Sequence, residues 1–469
     1  MKRIARRTCW VSLLVFVCIL FLGFYLRIGS ATETVVINPL RADAGNYFTY
    51  AYNLRYKHTY SREIGSMRDL SSPVTPDDQR SPGYPLFLTL FLDGLSFQSF
   101  VHKVVITQAI LSALTLIVAF LLFKSFLPHA WALAASLLVA ISPHLIIPNS
   151  FVITETLFCF LLLVIGYGIS LFASRPSATL ALLTGILIGL ASLVRPILEY
   201  LPFVLGFLFI VHYRRREGIR YLAALLFGFF LAFFPWILRN AVTLGTLSDD
   251  TLLINFLHHG MYPNFTFEGV PESLGYPYRF DPRSPEFSRD IPSILKEIWG
   301  RFQEKPWEHL KWFLIGKPVA FWSWDDVQGM GDAFIYPVVS SPYFSAAPFQ
   351  WTHFFMFVIH WPLIILGGLA SFLAWFRSLD ETYPQKSLFA TRFISLVLIS
   401  YTLIHMVGAP IQRYSFPLRP YLYGMAVFLA CFLWQTLRAK LRSSKISGQE
   451  PDRNSPSRHP ATSSEEIIC

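Results

Sequence analysis

About ten stretches of roughly 17 to 24 mainly apolar residues recur along this chain, each about long enough to cross a bilayer as a helix. They fall at residues 9–26, 104–123, 130–148, 151–173, 178–194, 197–211, 221–238, 353–376, 393–406 and 417–437, the sixth and ninth being short. Only 14% of the 469 residues are charged, against roughly 25% in soluble domains, and the mean hydropathy is +0.46. The expected fold class is therefore an all-α polytopic membrane protein.

The basic residues orient the spans. Lys2, Arg3, Arg6 and Arg7 precede the first run, and Arg214, Arg215, Arg216 and Arg220 fill a short turn. Lys124, Arg175, Arg377 and the basic stretch 438–445 fall on the same side when ten spans alternate, so that side and both termini are expected to be cytoplasmic. Gly29-Ser30-Ala31 faintly resembles a cleavage site, but the first run exceeds the apolar core of a signal peptide and is read as an uncleaved anchor. Topology and anionic headgroups account for most of the net charge of +10, so nucleic acid is not an expected partner. The five cysteines lie in spans or at the C-terminus, with no pairing or metal-binding pattern in the outer loops.

Two long segments face outward, 29–102 and 239–351. Both are aromatic and Pro-rich, and they are expected to form a cap of interfacial helices and loops over the membrane domain 1–437. Within them, 44–56 carries Tyr47, Tyr50, Ala51 and Leu54 at helical spacing, and 306–324 has a Trp-rich apolar face. Residues 443–469 are polar and Ser/Pro-rich, the composition of a disordered cytoplasmic tail. No fixed-period repeat is present.

Arg27, Arg195, Arg239 and Arg413 stand at the outward ends of spans, on the face the positive-inside rule leaves poor in basic residues. Each alone reads as a snorkelling residue. Together they suggest an anionic ligand, because a guanidinium grips phosphate with two parallel hydrogen bonds. Asp43 precedes the 44–56 helix and suits both a helix N-cap and a general base toward a hydroxyl. The turn Gln79-Arg80-Ser81-Pro82-Gly83-Tyr84-Pro85 is expected to present Arg80 and Tyr84 to the same outer face. Glu155 lies about one turn inside the outer end of its span, where a carboxylate is costly and normally has a task. His258, His259 and His309 lack metal-site spacing and are read as structural. There is no phosphate-binding loop or Gly-rich nucleotide fingerprint.

The order of these elements resembles the polyprenyl-phosphate-dependent C-type membrane glycosyltransferases, in particular the protein O-mannosyltransferase and lipid A aminoarabinose transferase group of bacteria. The elements are an Asp before an aromatic helix, Arg-x-Pro-Gly-Tyr-Pro, Thr-Glu, Arg-Pro, Pro-Trp-x-x-Arg-Asn and Arg-Tyr-x-x-Pro, in a pattern extending to about residue 437. The resemblance implies inverting transfer of a sugar from a polyprenyl-phosphate donor to a lipid, glycan or protein acceptor on the outer, periplasmic face of the inner (plasma) membrane. It implies Asp43 as base, Arg80, Arg195, Arg239 and Arg413 as phosphate contacts, and Tyr84, Glu155 and Arg41 as substrate contacts. Many relatives carry a second acidic residue directly after the Asp, where this chain has Ala44. No cofactor is therefore expected, and a divalent metal is left open. A lipid or glycan flippase is the alternative, for which interrupted spans and inverted repeats are the expected signs.

Overall fold

The computed structural model describes residues 2–64, 71–94, 96–248 and 250–447. Every apolar run becomes helical. Among the described residues, seven helices are long and apolar enough to cross a membrane. They are α1 (Lys2–Glu33), α4 (Phe97–Phe123), α7 (Glu155–Ser174), α10 (Arg215–Leu244), α17 (Ala347–Leu373), α18 (Gln385–Val407) and α19 (Arg419–Ser447). The intervening helices that matter here are α2 (Ala42–Tyr52), α3 (Gly83–Thr89), α5 (His129–Ile141), α6 (Pro143–Ile146), α8 (Ala178–Val194), α9 (Leu201–His212) and α11 to α16 of the cap, between Thr251 and Ser345. The runs at 178–194 and 197–211 form the shorter apolar helices Ala178–Val194 and Pro196–His212. The ninth run lies within α18, a full 23 residues.

The third run departs from a straight span. It breaks between α5 and the segment Pro143–Ser150 with a bend of 66°. Pro143 has no N–H to continue the ladder, so carbonyls at the end of α5 need other donors. Arg27 supplies them. Its Nη1 and Nη2 donate to Ala140 O (2.8 Å) and Val139 O (3.0 Å), its Nε to Ser112 Oγ (2.8 Å), and Nη1 also to Gly23 O (3.1 Å). Arg27 is fully buried. Its position thus has a structural cause, and it is not one of the arginines open to an anion. The same bonds answer the interrupted span as a transporter sign, because the freed carbonyls are occupied by protein.

Helices α8 and α10 cross closely through glycines. A Cβ on Gly185 would lie 2.0 Å from Leu225 O, and one on Gly228 2.1 Å from Leu182 O. Small residues permit such backbone approach where lipid gives no hydrophobic drive to association. Gly83 does the same at the start of α3, where a Cβ would stand 2.7 Å from the Leu193 carbonyl group. The Arg80 turn is thereby seated on the end of α8, directly before Arg195.

The cap follows its amphipathic patterns. The expected 44–56 helix is α2, continued by a π-helical turn Asn53–Lys57 and stopped by left-handed His58 (φ 53°). The expected 306–324 helix is α14 (Pro306–Lys311), a π-turn Trp312–Gly316 and α15 (Lys317–Trp322). A two-stranded antiparallel sheet joins the outer segments, β1 (Val35–Val36) pairing with β2 (Val338–Ser340). Helix α19 continues to Ser447, so residues 443–447 are helical where a disordered tail was expected. The remainder of that tail, 448–469, lies outside the described residues.

Candidate active site

Asp43 is the second residue of α2, and its carboxylate does not cap the helix. Arg41 holds the N-cap position without a side-chain bond. Ala42, just before Asp43, is left-handed (φ 48°), a conformation costing an alanine about 1–2 kcal/mol. The distortion turns Asp43 toward two guanidiniums. Arg80 Nη2 donates to Oδ1 at 2.6 Å, and Arg413 Nη2 donates to Oδ2 at 2.7 Å. These arginines are 370 minus 37, or 333, residues apart in the chain. Asp43 and Arg80 remain 22% and 27% exposed, so the cluster is open to solvent.

Burial alone would raise the Asp43 carboxyl. The charges of Arg413, then Arg80, then Arg195 outweigh it and hold the group down to about 2, below its ordinary 3.8. Asp43 is thus a firmly ionised anion.

A second ion pair stands beside the first. Arg195 Nη2 donates to Glu155 Oε1 at 2.5 Å and its Nε to Thr154 Oγ1 at 2.9 Å, with Glu155 only 4% exposed. The Tyr414 ring joins the two pairs, its centroid 5.1 Å from the Arg195 guanidinium carbon and 5.5 Å from that of Arg413. The Glu155 turn is braced by Tyr84, whose hydroxyl donates to Gln108 Oε1 (2.7 Å) while Gln108 Nε2 donates to Phe151 O (2.7 Å). Tyr84 is fully buried, so it supports the site from beneath instead of facing a substrate. Tyr47 lies edge-on to Tyr84, and its ring faces Arg80.

Arg239 is drawn elsewhere. Its Nη1 donates to Asp77 O (2.9 Å) and its Nη2 to Tyr60 O (3.1 Å), while its face stacks near Trp236 and Tyr60. Tyr60 Oη donates in turn to Arg80 O (2.8 Å). Arg239 therefore clamps the loop that delivers Arg80. Arg41 is exposed and faces the Tyr336 ring at 5.9 Å, and Tyr336 Oη accepts the Ala44 backbone N–H (3.3 Å).

The structure thus brings together Asp43, Arg80, Arg195, Arg413 and Glu155, and turns Tyr84 and Arg239 to support. Sequence reasoning missed Tyr336, and gave Tyr414 no role beyond its motif. Tyr414 had a usable signal, since it directly follows Arg413. Tyr336 had none, being placed by the return of a distant loop.

Guanidiniums hold both Asp43 oxygens, and Ala44 offers no second carboxylate beside it. His258 accepts or donates within the cap, near Tyr262 Oη (3.4 Å) and Ser284 Oγ (3.3 Å).

No curated protein matches the chain. An archaeal oligosaccharyltransferase, AglB from Archaeoglobus fulgidus, solved with an inhibitory peptide and a dolichol-phosphate, is 13% identical with a TM-score of 0.49, over 96% of this chain and 53% of its own. The same protein with zinc and sulfate is 14% identical, with a TM-score of 0.47, over 92% and 51%. ArnT from Cupriavidus metallidurans, bound to undecaprenyl phosphate, is 13% identical with a TM-score of 0.41, over 85% and 77%. The chain spans about half the length of the oligosaccharyltransferase it matches. Residues 79–238, from the Arg80 turn through Glu155 and Arg195 to the end of the run before Arg239, match the family model described as dolichyl-phosphate-mannose-protein mannosyltransferase.

Proposed function

We propose that this chain is a membrane glycosyltransferase that moves a sugar from a polyprenyl-phosphate donor to a hydroxyl acceptor on the outer face of the membrane, with both termini cytoplasmic. The carrying observation is the convergence of Arg80 and Arg413 on Asp43, with Arg195 and Glu155 across Tyr414. Two carboxylates and three guanidiniums leave a positive excess beside apolar helices. That combination suits an anion carrying a long apolar tail.

In the proposed reaction the acceptor O–H gives its proton to Asp43, and the acceptor oxygen attacks the anomeric carbon from the face opposite the phosphate. The bond from that carbon to the phosphate oxygen breaks, and polyprenyl phosphate departs with the electron pair, so the sugar is inverted. Arginines oriented in advance stabilise the charge that grows on the leaving phosphate. At about 2, Asp43 is a poor base while both arginines hold it. A donor phosphate competing for Arg80 and Arg413 releases Asp43 as it binds, so base strength arrives with the substrate.

The test uses purified protein in nanodiscs with polyprenyl-phosphate mannose, the sugar suggested by the family match. Arg413→Ala is expected to lower kcat/KM for the donor about tenfold or more, since a hydrogen bond to a charged group is worth roughly 1.5–3 kcal/mol. Lys restores it only in part, lacking the planar fork. Unimpaired transfer by Arg413→Ala and by Arg80→Ala removes the phosphate role.

A further inference from the structure

Asp326 stands in the turn after α15, outside every motif of the sequence reading, and is only 3% exposed. Its Oδ1 accepts the Gln328 backbone N–H at 3.0 Å, and its own N–H donates to Asp332 O at 3.0 Å. Its Oδ2 is buried with no hydrogen-bond partner among the described residues. The next residue donates across to the catalytic segment, Val327 N–H to Gln412 Oε1 at 3.0 Å, which fixes this turn against the chain carrying Arg413. Arg413 has the complementary lack. Its Nη2 serves Asp43, while its Nε–H is buried without an acceptor among the described residues.

A buried acceptor and a buried donor are thus left open on adjoining segments, each costly by itself. Their charges act on one another: burial raises the Asp326 carboxyl, and Arg413 is the first charge opposing the rise. A guanidinium has separate edges, so an anion held at Nε leaves terminal N–H groups for another.

We propose that Asp326 is the second seat of Arg413: as Arg413 leaves Asp43, its Nε–H turns to Asp326 Oδ2, which holds the terminal nitrogens toward the donor phosphate. Asp326 is a positioning residue in this account, acting through Arg413 and touching neither sugar nor acceptor. The inference rests on the polyprenyl-phosphate reading above. It supplies what that reading lacks, a partner that keeps Arg413 oriented once the Asp43 bond is given up.

A double-mutant cycle tests it, with undecaprenyl phosphate as the probe and the full chain in nanodiscs. Asp326→Asn keeps the side-chain shape and the bond from Gln328. It is expected to raise the Kd for undecaprenyl phosphate about tenfold or more in the otherwise unchanged protein. In an Arg413→Lys background, which keeps the charge but has no Nε–H, the same change is expected to cost about twofold or less, because coupled residues do not add. An equal factor in both backgrounds, or no change in the first, overturns the proposal, since a purely structural carboxylate does not depend on Nε. Should Asp326→Asn not yield monodisperse protein, Asp326→Glu, which displaces the carboxylate by one methylene, is held to the same pattern. Failure of the unmodified chain to bind undecaprenyl phosphate brings down the functional reading itself, and that control is read separately.

Discussion

Replacing Asp43 with Asn removes the one anion that Arg80 and Arg413 share, and both consequences can be sized. The carboxyl falls from an ordinary 3.8 to about 2 on folding, which corresponds to roughly 2 kcal/mol of stability at about 1.36 kcal/mol per unit. Because the folded value is depressed, this contribution is fully present above 3.8 and is lost as the pH falls toward 2. Asp43→Asn should therefore be less stable than the parent by about 2 kcal/mol at pH 7, with the gap closing in acid. Catalytically, loss of a general base costs about 10²- to 10⁴-fold. Rates must be expressed per folded molecule, so thermal unfolding and monodispersity are measured on the same preparations as transfer. The Asn side chain does not rescue helix capping, because Asp43 makes no cap bond. A variant that transfers sugar within threefold of the parent per folded molecule would refute the base assignment, since about 10² is the smallest loss expected. A stability gap unchanged from neutral pH into acid would refute the electrostatic account of Asp43.

Three further outcomes separate the roles of the remaining residues. Arg195→Ala leaves Glu155 buried without its cation, a defect worth about 3–5 kcal/mol, so folded yield should collapse, and Arg195→Met with Glu155→Gln should recover yield but not transfer. Arg239→Ala frees the loop from Tyr60 to Arg80; limited proteolysis there should accelerate at neutral pH, and equal protection in parent and variant would end the clamp role. A single cysteine at Phe280, introduced after the native cysteines are removed, should react with an impermeant reagent from outside intact cells, and reaction only in inverted vesicles would reverse the topology.

The spans were legible because the length of an apolar run is itself the physical cause of a crossing helix. The break at Ser142–Pro143 was present in the letters too, but a proline that kinks a span and one that ends it look alike until a donor such as Arg27 is found. Arg27, Arg195, Arg239 and Arg413 were legible as a set, while their division of labour was not. An arginine meeting carbonyls, as Arg27 and Arg239 do, has the same local sequence as one meeting a carboxylate. The Pro-Gly turn around Tyr84 gives no local sign of burial, and its ring fills the space under the Glu155 turn. The sheet between Val35–Val36 and Val338–Ser340 is too short for alternation to signal, yet it joins the two outer segments. Asp326 shows the same limit most sharply, since its proximity to Arg413 arises only from tertiary return of the chain.

The decisive measurement is transfer itself, followed with the sugar labelled on the purified chain in nanodiscs. Polyprenyl-phosphate mannose and other polyprenyl-phosphate monosaccharides are offered as donors in parallel with the corresponding sugar nucleotides, using membrane lipid, glycan and protein fractions as acceptors. The account predicts that label leaves a polyprenyl-phosphate donor, appears in an acceptor with inverted anomeric configuration, and does not move from any nucleotide. Transfer from a sugar nucleotide, retention of configuration, or no transfer from any lipid-phosphate donor by folded protein would contradict it.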